Sequence, residues 1–263
     1  MDYYYVLQLL LIGVSVGLIS NALGLGGGIV MVPAFLLFVD GMDTNTAKGS
    51  SLLIIMLVAS VNAWRLNVGY EHKPWKLAAT IALGSIVGGY FGAWVTGLMP
   101  DVVVTWLFIG FLALVAIRTF FIIPPHVSAD QVRQRNLLAV VVGFCAGTVA
   151  GATGTGGGAV LVPMVLMAGI ITNERVVALS NMVMIATATA ATAAHLMAKA
   201  STNLPHVVGH VDLALAPLVF IGAMASAPLG RRLNLILTIK RRRVVLGILL
   251  LVIVVRLVNR ALG

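Results

Sequence analysis

The stretch "GLGGGIVMVPAFLLF" at 24–38 decides how this chain is read, because it is repeated as "GTGGGAVLVPMVLMA" at 154–168. Glycine is tolerated in a helix worse than any residue except proline, so two glycine triplets followed by Pro33 and Pro163 in oily surroundings predict interrupted helices. The apolar pieces behind them, 28–39 and 158–171, are about 11 to 14 residues long. As helix they reach roughly 16–21 Å, too short to cross about 30 Å of hydrocarbon untilted. They are read as half-helices.

The composition around them is that of a membrane protein. Charged residues make up 10% of the 263, against 60% hydrophobic, where a soluble domain carries about a quarter charged. Mean hydropathy is +1.06. Apolar segments fall at 6–23, 28–39, 45–64, 76–99, 101–122, 136–152, 158–171, 175–198, 211–233 and 242–262, so residues 1–263 are expected to form one all-α integral membrane domain. The first basic residue is Lys48, so residues 6–23 lack the positive flank of a cleaved signal peptide and are expected to stay in the mature protein. Cys145 is the single cysteine, which excludes an intramolecular disulfide. The net charge of +9 and the "KRRR" run at 240–243 do not signal nucleic acid: the run lies between two apolar spans, where cytoplasmic basic loops belong.

The chain repeats itself. At an offset of 130, Gly13, Gly17, Gly24, Gly26, Pro33, Ser50 and Arg65 map to Gly143, Gly147, Gly154, Gly156, Pro163, Ser180 and His195. After the loop "MAKASTNLPHVVGHVD" the offset becomes 138, and Gly84, Gly88, Gly92 and Arg118 map to Gly222, Ser226, Gly230 and Arg256. Two units result, 6–122 and 136–262, each of five apolar segments. An odd number makes the second unit inverted. Arg65, Lys73, Lys76, Arg118, Arg133, Arg135 and Arg231 to Arg243 then share one side, which the positive-inside rule makes cytoplasmic, with the N-terminus outside. The other side holds Asp2, Asp40, Asp43, Lys48, Asp101, Lys199 and Asp212.

Irregular backbone at membrane depth requires protein or a water-filled cavity to satisfy its polar groups. Paired half-helices entering from opposite faces point to a binding site near the midplane at the repeat interface, with glycine-turn N–H groups and two helix N-termini favouring an anion. Gly24, Gly26, Gly27 and Gly28 and their counterparts Gly154, Gly156, Gly157 and Gly158 are the backbone candidates. The single glycines at 13, 17, 84, 88, 92, 143 and 147 are read as helix-packing positions. Gly154 to Ala159 also fits G-x-G-x-x-A, but a dinucleotide fingerprint needs a strand–turn–helix unit in a soluble sheet, which is absent; no cofactor is expected.

All eight acidic residues fall in or beside predicted loops, leaving no intramembrane carboxylate for a cation or proton path. Polar candidates are Ser50, Ser51 and Arg65 with their counterparts Ser180, Asn181 and His195. Arg65 would attract anions or snorkel at a helix end; His195 would titrate near neutral pH or satisfy an interhelical hydrogen bond. Inversion should set Ser50 and Ser51 near His195. Asn21, Thr153 and Thr155 flank the glycine turns and either donate to a ligand or cap backbone groups.

At these residues the sequence resembles the sulfite exporter TauE/SafE family of bacterial membrane transporters. The resemblance rests on the paired glycine runs, on "TAKGSSL" and "VVALSNM", and on "LGSIVGGYFGAWV" and "IGAMASAPLGRRL". It implies export of sulfite or a small organosulfonate such as sulfoacetate across the inner membrane by alternating access. The partners expected are a small anion and the lipid bilayer; a homodimer stays open. Two alternatives stand beside this reading. A metal-cation exporter or channel rests on His72, His126, His206 and His210, of which His206 and His210 alone have an i, i+4 spacing. An intramembrane serine hydrolase rests on "GVSVG" at 13–17, although the counterpart of Ser15 is Cys145.

Overall fold

The computed structural model describes residues 3–23, 27–68, 74–121, 127–128, 131–133, 135–200 and 206–262. Among the sequence candidates, Gly24, Gly26, His72, Lys73 and His126 lie outside the described residues. Among the described residues ten helices follow one another: α1 (Tyr3–Leu23), α2 (Gly28–Phe38), α3 (Thr44–Asn67), α4 (Trp75–Gly97), α5 (Asp101–Phe121), α6 (Asn136–Thr153), α7 (Gly158–Met167), α8 (Val176–Leu196), α9 (Leu215–Ile236) and α10 (Ile239–Leu262). Among the described residues seven are long and apolar enough to cross a membrane. α9 is as long, but Arg231 and Arg232 sit in its second half. The protein is an all-α integral membrane protein, as its composition requires.

The two short helices are the expected ones, 11 and 10 residues long. α6 ends where Gly154 takes a left-handed conformation at φ 71° and donates its N–H to the Ala150 carbonyl. α7 begins after Gly157, also left-handed at φ 85°, a geometry that a β-branched residue adopts only under strain. Within α7, Pro163 has no N–H for the carbonyl four residues back, that of Ala159. Arg118 fills the gap, donating from Nη1 to the Ala159 oxygen at 3.0 Å. It is a strut between α5 and α7, a role its position in the last turn of α5 did not reveal.

α4 packs most extensively on α6 and α1 on α9; α3 packs on α8 and α5 on α10. Exchanging the first five helices for the last five maps the α4–α6 contact onto α9–α1 and leaves the other two in place. Glycine makes the first two contacts possible. A methyl at Gly84, Gly88 or Gly92 would collide with the Val140, Phe144 or Thr148 carbonyl of α6. Gly13 and Gly17 lie as closely against Val219 and Ala223 of α9. These are packing faces, as expected for small residues in a bilayer. Ser15, between Gly13 and Gly17, is exposed in mid-helix and occupies no strained turn, so its G-x-S-x-G spacing marks a packing stripe.

One segment departs from expectation. The ninth apolar run does not start as helix at 211: Val207–Val208 (β1) pairs antiparallel with Val211–Asp212 (β2), and α9 begins four residues later. Gly209, at φ 60°, lets this hairpin lie against the His195 and Leu196 carbonyls, and the Asp212 carboxylate accepts from the Ala214 and Leu215 N–H groups. Asp212 thus plays the capping role that delays the helix.

Candidate anion path

α3 and α8 run antiparallel at the centre. At one end Gly49 meets His195; at the other Arg175 donates to Asn67 at 3.2 Å. The two interrupted helices meet between them, since a methyl on Gly28 would overlap the Thr155 backbone. At the amino ends of α2 and α7 the Val30 and Val160 N–H groups bond the Gly27 and Gly157 carbonyls, which leaves the first two N–H groups of each helix, those of Gly28 and Ile29 and of Gly158 and Ala159, without an acceptor in their own helix. The bundle therefore has two unlike halves, one toward Arg231 and one toward Lys48.

The Arg231 half is hollow. A cavity of about 570 Å³ runs from Arg231, Leu235 and Arg242 to Gly27 of α2 and Gly158 of α7. Polar side chains line its walls: Ser20 and Asn21 from α1, Asn62 from α3, Ser180 and Asn181 from α8, and Asn234 from α9. Its charged lining side chains are Arg231 and Arg242, and among the described residues no carboxylate lines it. Arg242 donates from Nη1 to the Asn234 side-chain oxygen at 3.0 Å, while its Nε is buried without a hydrogen-bond partner among those residues. Ser20 Oγ is likewise buried and unpartnered. Unmet donors beside a roomy polar space are where a solute or water is accommodated.

The Lys48 half is closed. Ser51 donates to the Gly154 carbonyl at 2.9 Å, and Ser50 accepts the Asp212 N–H at 2.9 Å. The His210 N–H donates to the His195 carbonyl at 2.8 Å, and the two Nδ1 atoms lie 3.3 Å apart. Lys48 is fully buried and donates to Thr96 Oγ1 at 2.9 Å.

The sequence candidates therefore divide. Asn21, Gly27, Gly158, Ser180 and Asn181 line the cavity. Gly28, Ser50, Ser51, Thr153, Gly154, Thr155, Gly156, Gly157 and His195 are buried outside its lining. Thr153 bonds the Val149 carbonyl and shares a 2.9 Å hydrogen bond with Thr155, so this pair braces the turn. Arg65 is exposed and off the cavity, while Asn62 and Leu66 of the same helix line it. Sequence reasoning treats Arg231, Arg242 and Lys48 alike as topology charges, the first two on the basic side and Lys48 on the other. For Lys48 a signal existed: Asp43 caps α3, accepting from the Thr46 N–H, which places Lys48 a full turn inside the helix.

The hairpin that closes the Lys48 half carries a titratable group. Burial lowers the pKa of His210 below its ordinary 6.5; Lys48 adds to this, and Asp43 and Asp101 act against it. With the folded value below the unfolded one, its contribution to stability is present above pH 6.5 and is lost as pH falls through the folded value. Thermal unfolding should come at a lower temperature at pH 5 than at pH 7.5, and His210→Gln should narrow that difference. An unchanged difference in the variant refutes the assignment.

A polar chamber entering from one end of a bundle otherwise built for lipid, and stopping at two broken helices, belongs to a membrane transporter. The family described as Sulfite exporter TauE/SafE matches residues 9–257, and the chain belongs to that family. It is 27% identical over 248 residues to a probable membrane transporter protein of Methanocaldococcus jannaschii, covering 92% of this chain and 91% of the relative. It is 25% identical over 270 residues to the probable membrane transporter protein YunE of Bacillus subtilis, covering 90% and 93%. No solved structure matches.

Proposed function

We propose that the protein is a secondary carrier exporting a small sulfur-containing anion, sulfite or an organosulfonate such as sulfoacetate, across the bacterial inner membrane by alternating access. The carrying observation is the cavity's charge: two arginines, one with an unpartnered Nε, and no carboxylate among the described lining residues. A cation would meet repulsion at both arginines, whereas an anion is drawn inward toward the amino ends of α2 and α7. The family's description supports the sulfur chemistry.

Repeat-related positions in opposite conditions support alternating access. Ser180 and Asn181 line the open half, while their counterparts Ser50 and Ser51 are hydrogen-bonded shut in the closed half. In inverted repeats, exchanging these two conditions turns a structure open at one end into one open at the other. With the N-terminus outside and the basic loops cytoplasmic, the cavity faces the cytoplasm, the loading side for an exporter.

Uptake of sulfite and sulfoacetate into proteoliposomes tests the reading. The double variant Arg231→Gln/Arg242→Gln should lower flux at least tenfold while leaving the protein monodisperse. Flux of neither anion by well-folded wild-type protein, or unchanged flux in the double variant, defeats it.

A further inference from the structure

The Lys48 half contains a group that packing does not explain. Lys48 has no exposed surface, yet among the described residues its amine has a single hydrogen-bond partner, Thr96 Oγ1 at 2.9 Å. Thr96 in turn donates to the Gly92 carbonyl at 2.9 Å, so its hydroxyl is already engaged. No carboxylate lies within ion-pair distance of the amine among the described residues. Asp101 accepts instead from the Thr44 N–H at 2.8 Å. An ammonium has three protons to give and is costly to bury without partners.

Its surroundings tie it to the broken helices. A methyl on Gly154 would overlap Cα, Cβ and Cγ of Lys48, so the lysine stem lies directly on the second glycine turn. The adjacent Gly49 touches His195, whose ring is buried and whose Nδ1 lies 3.3 Å from that of His210. Gly97, next to Thr96, lies against the His210 ring. Lysine, threonine and two histidines from α3, α4, α8 and the hairpin thus converge beside the turn. The repeat shows what packing alone requires here: the counterpart of Lys48 is Ala178, equally buried at 4% exposure. An alanine fills the equivalent place in the second unit, so the amine in the first unit is there for its chemistry.

We infer that Lys48 is the anion-binding, specificity-determining residue of the opposite-facing state, exchanging Thr96 for the transported anion when the Lys48 half opens. In the present structure it is the occluded end of the path whose other end is the arginine-lined cavity. The inference rests on the anion-carrier reading and adds to it the residue that receives the anion at the exit. An arginine pair at the entrance and a lysine at the exit give the solute a cation on each side of the glycine turns, and neither end has to bind so tightly that release fails.

The test uses full-length protein in proteoliposomes, with sulfite, sulfoacetate, phosphate and chloride as separate probes. Lys48→Met keeps length and removes charge; it should stay monodisperse and unfold at a temperature no lower than wild type, while anion flux falls at least tenfold. In a Cys145→Ser background, Lys48→Cys should react with an impermeant methanethiosulfonate from the face opposite Arg231. Modification by the 2-aminoethyl reagent, which restores an amine, should recover sulfoacetate flux; the neutral methyl reagent should not. Flux in Lys48→Met within twofold of wild type overturns the inference, as does a Lys48→Cys thiol that stays unlabelled from that face. If wild type moves phosphate or chloride but neither sulfur anion, and Lys48→Met stops that movement, the sulfur-anion reading falls and the lysine assignment stands.

Discussion

Gly88→Leu should destabilise the bundle severely. Gly88 lies against the Phe144 carbonyl and the Thr148 N–H of α6, so there is no flexible side chain to yield and the helices must separate. Overpacking a dense core costs typically about 1–3 kcal/mol. Here backbone meets backbone along the most extensive helix pair of the bundle, so the upper end of that range or more is expected. Gly110 is the internal control, because a side chain added there meets nothing within 4 Å. Gly110→Leu should elute and unfold like wild type, whereas Gly88→Leu should aggregate or unfold at a much lower temperature in detergent. Equal behaviour of the two variants would show that the α4–α6 contact does not hold the bundle.

The second large effect separates two glycines that look alike in sequence. Gly27 has ordinary right-handed backbone at φ −58°, and a Cβ there meets only the Met31 Cε, at 3.2 Å. Gly157 has φ 85°, and its Cβ would stand 3.1 Å from that of Ala150. Gly27→Val should therefore fold, because the end of a methionine moves readily, yet place an isopropyl group at the deep end of the cavity. Anion flux should fall at least tenfold at near-normal stability. Gly157→Val should instead lose roughly 1–2 kcal/mol from the left-handed conformation alone, seen as a lower unfolding temperature before any transport is measured. If Gly27→Val carries anions at the wild-type rate, the meeting of α2 and α7 is not on the solute's route.

Much of the architecture could be read from the chain. All ten apolar runs are helices, because hydrocarbon leaves the backbone no other way to satisfy itself over such lengths. The two breaks were legible since glycine triplets and prolines act locally. The hairpin at 207–212 was not: its start depends on Asp212 capping α9 and bonding Ser50, a contact between residues 162 positions apart. The site divided along the same line. Asn21, beside the first glycine turn, and Ser180 and Asn181, the repeat counterparts of Ser50 and Ser51, reach the cavity. Arg65 and His195 share a repeat position but differ in chemistry, and they end apart, Arg65 exposed and His195 sealed; pattern alone does not reveal which half of the bundle is open. Arg231 and Arg242 of the cavity lining and the buried Lys48 were all read as boundary charges, for a common reason. A charge at the edge of an apolar run is usually a boundary, and only tertiary packing shows that Lys48 is buried and that Arg231 and Arg242 border the cavity.

The glycine faces that join α1 to α9 and α4 to α6 also bear on how the chain is made. No helix of either pair finds its partner within its own half. At synthesis rates of about 5–20 residues per second, α1 waits on the order of 10–40 s in the bilayer before α9 emerges from the ribosome. Until then its notched surface faces lipid or the insertion machinery, so a nascent chain stopped after the first five helices is a substrate for membrane quality control, and the halves gain lasting shape only by clasping one another.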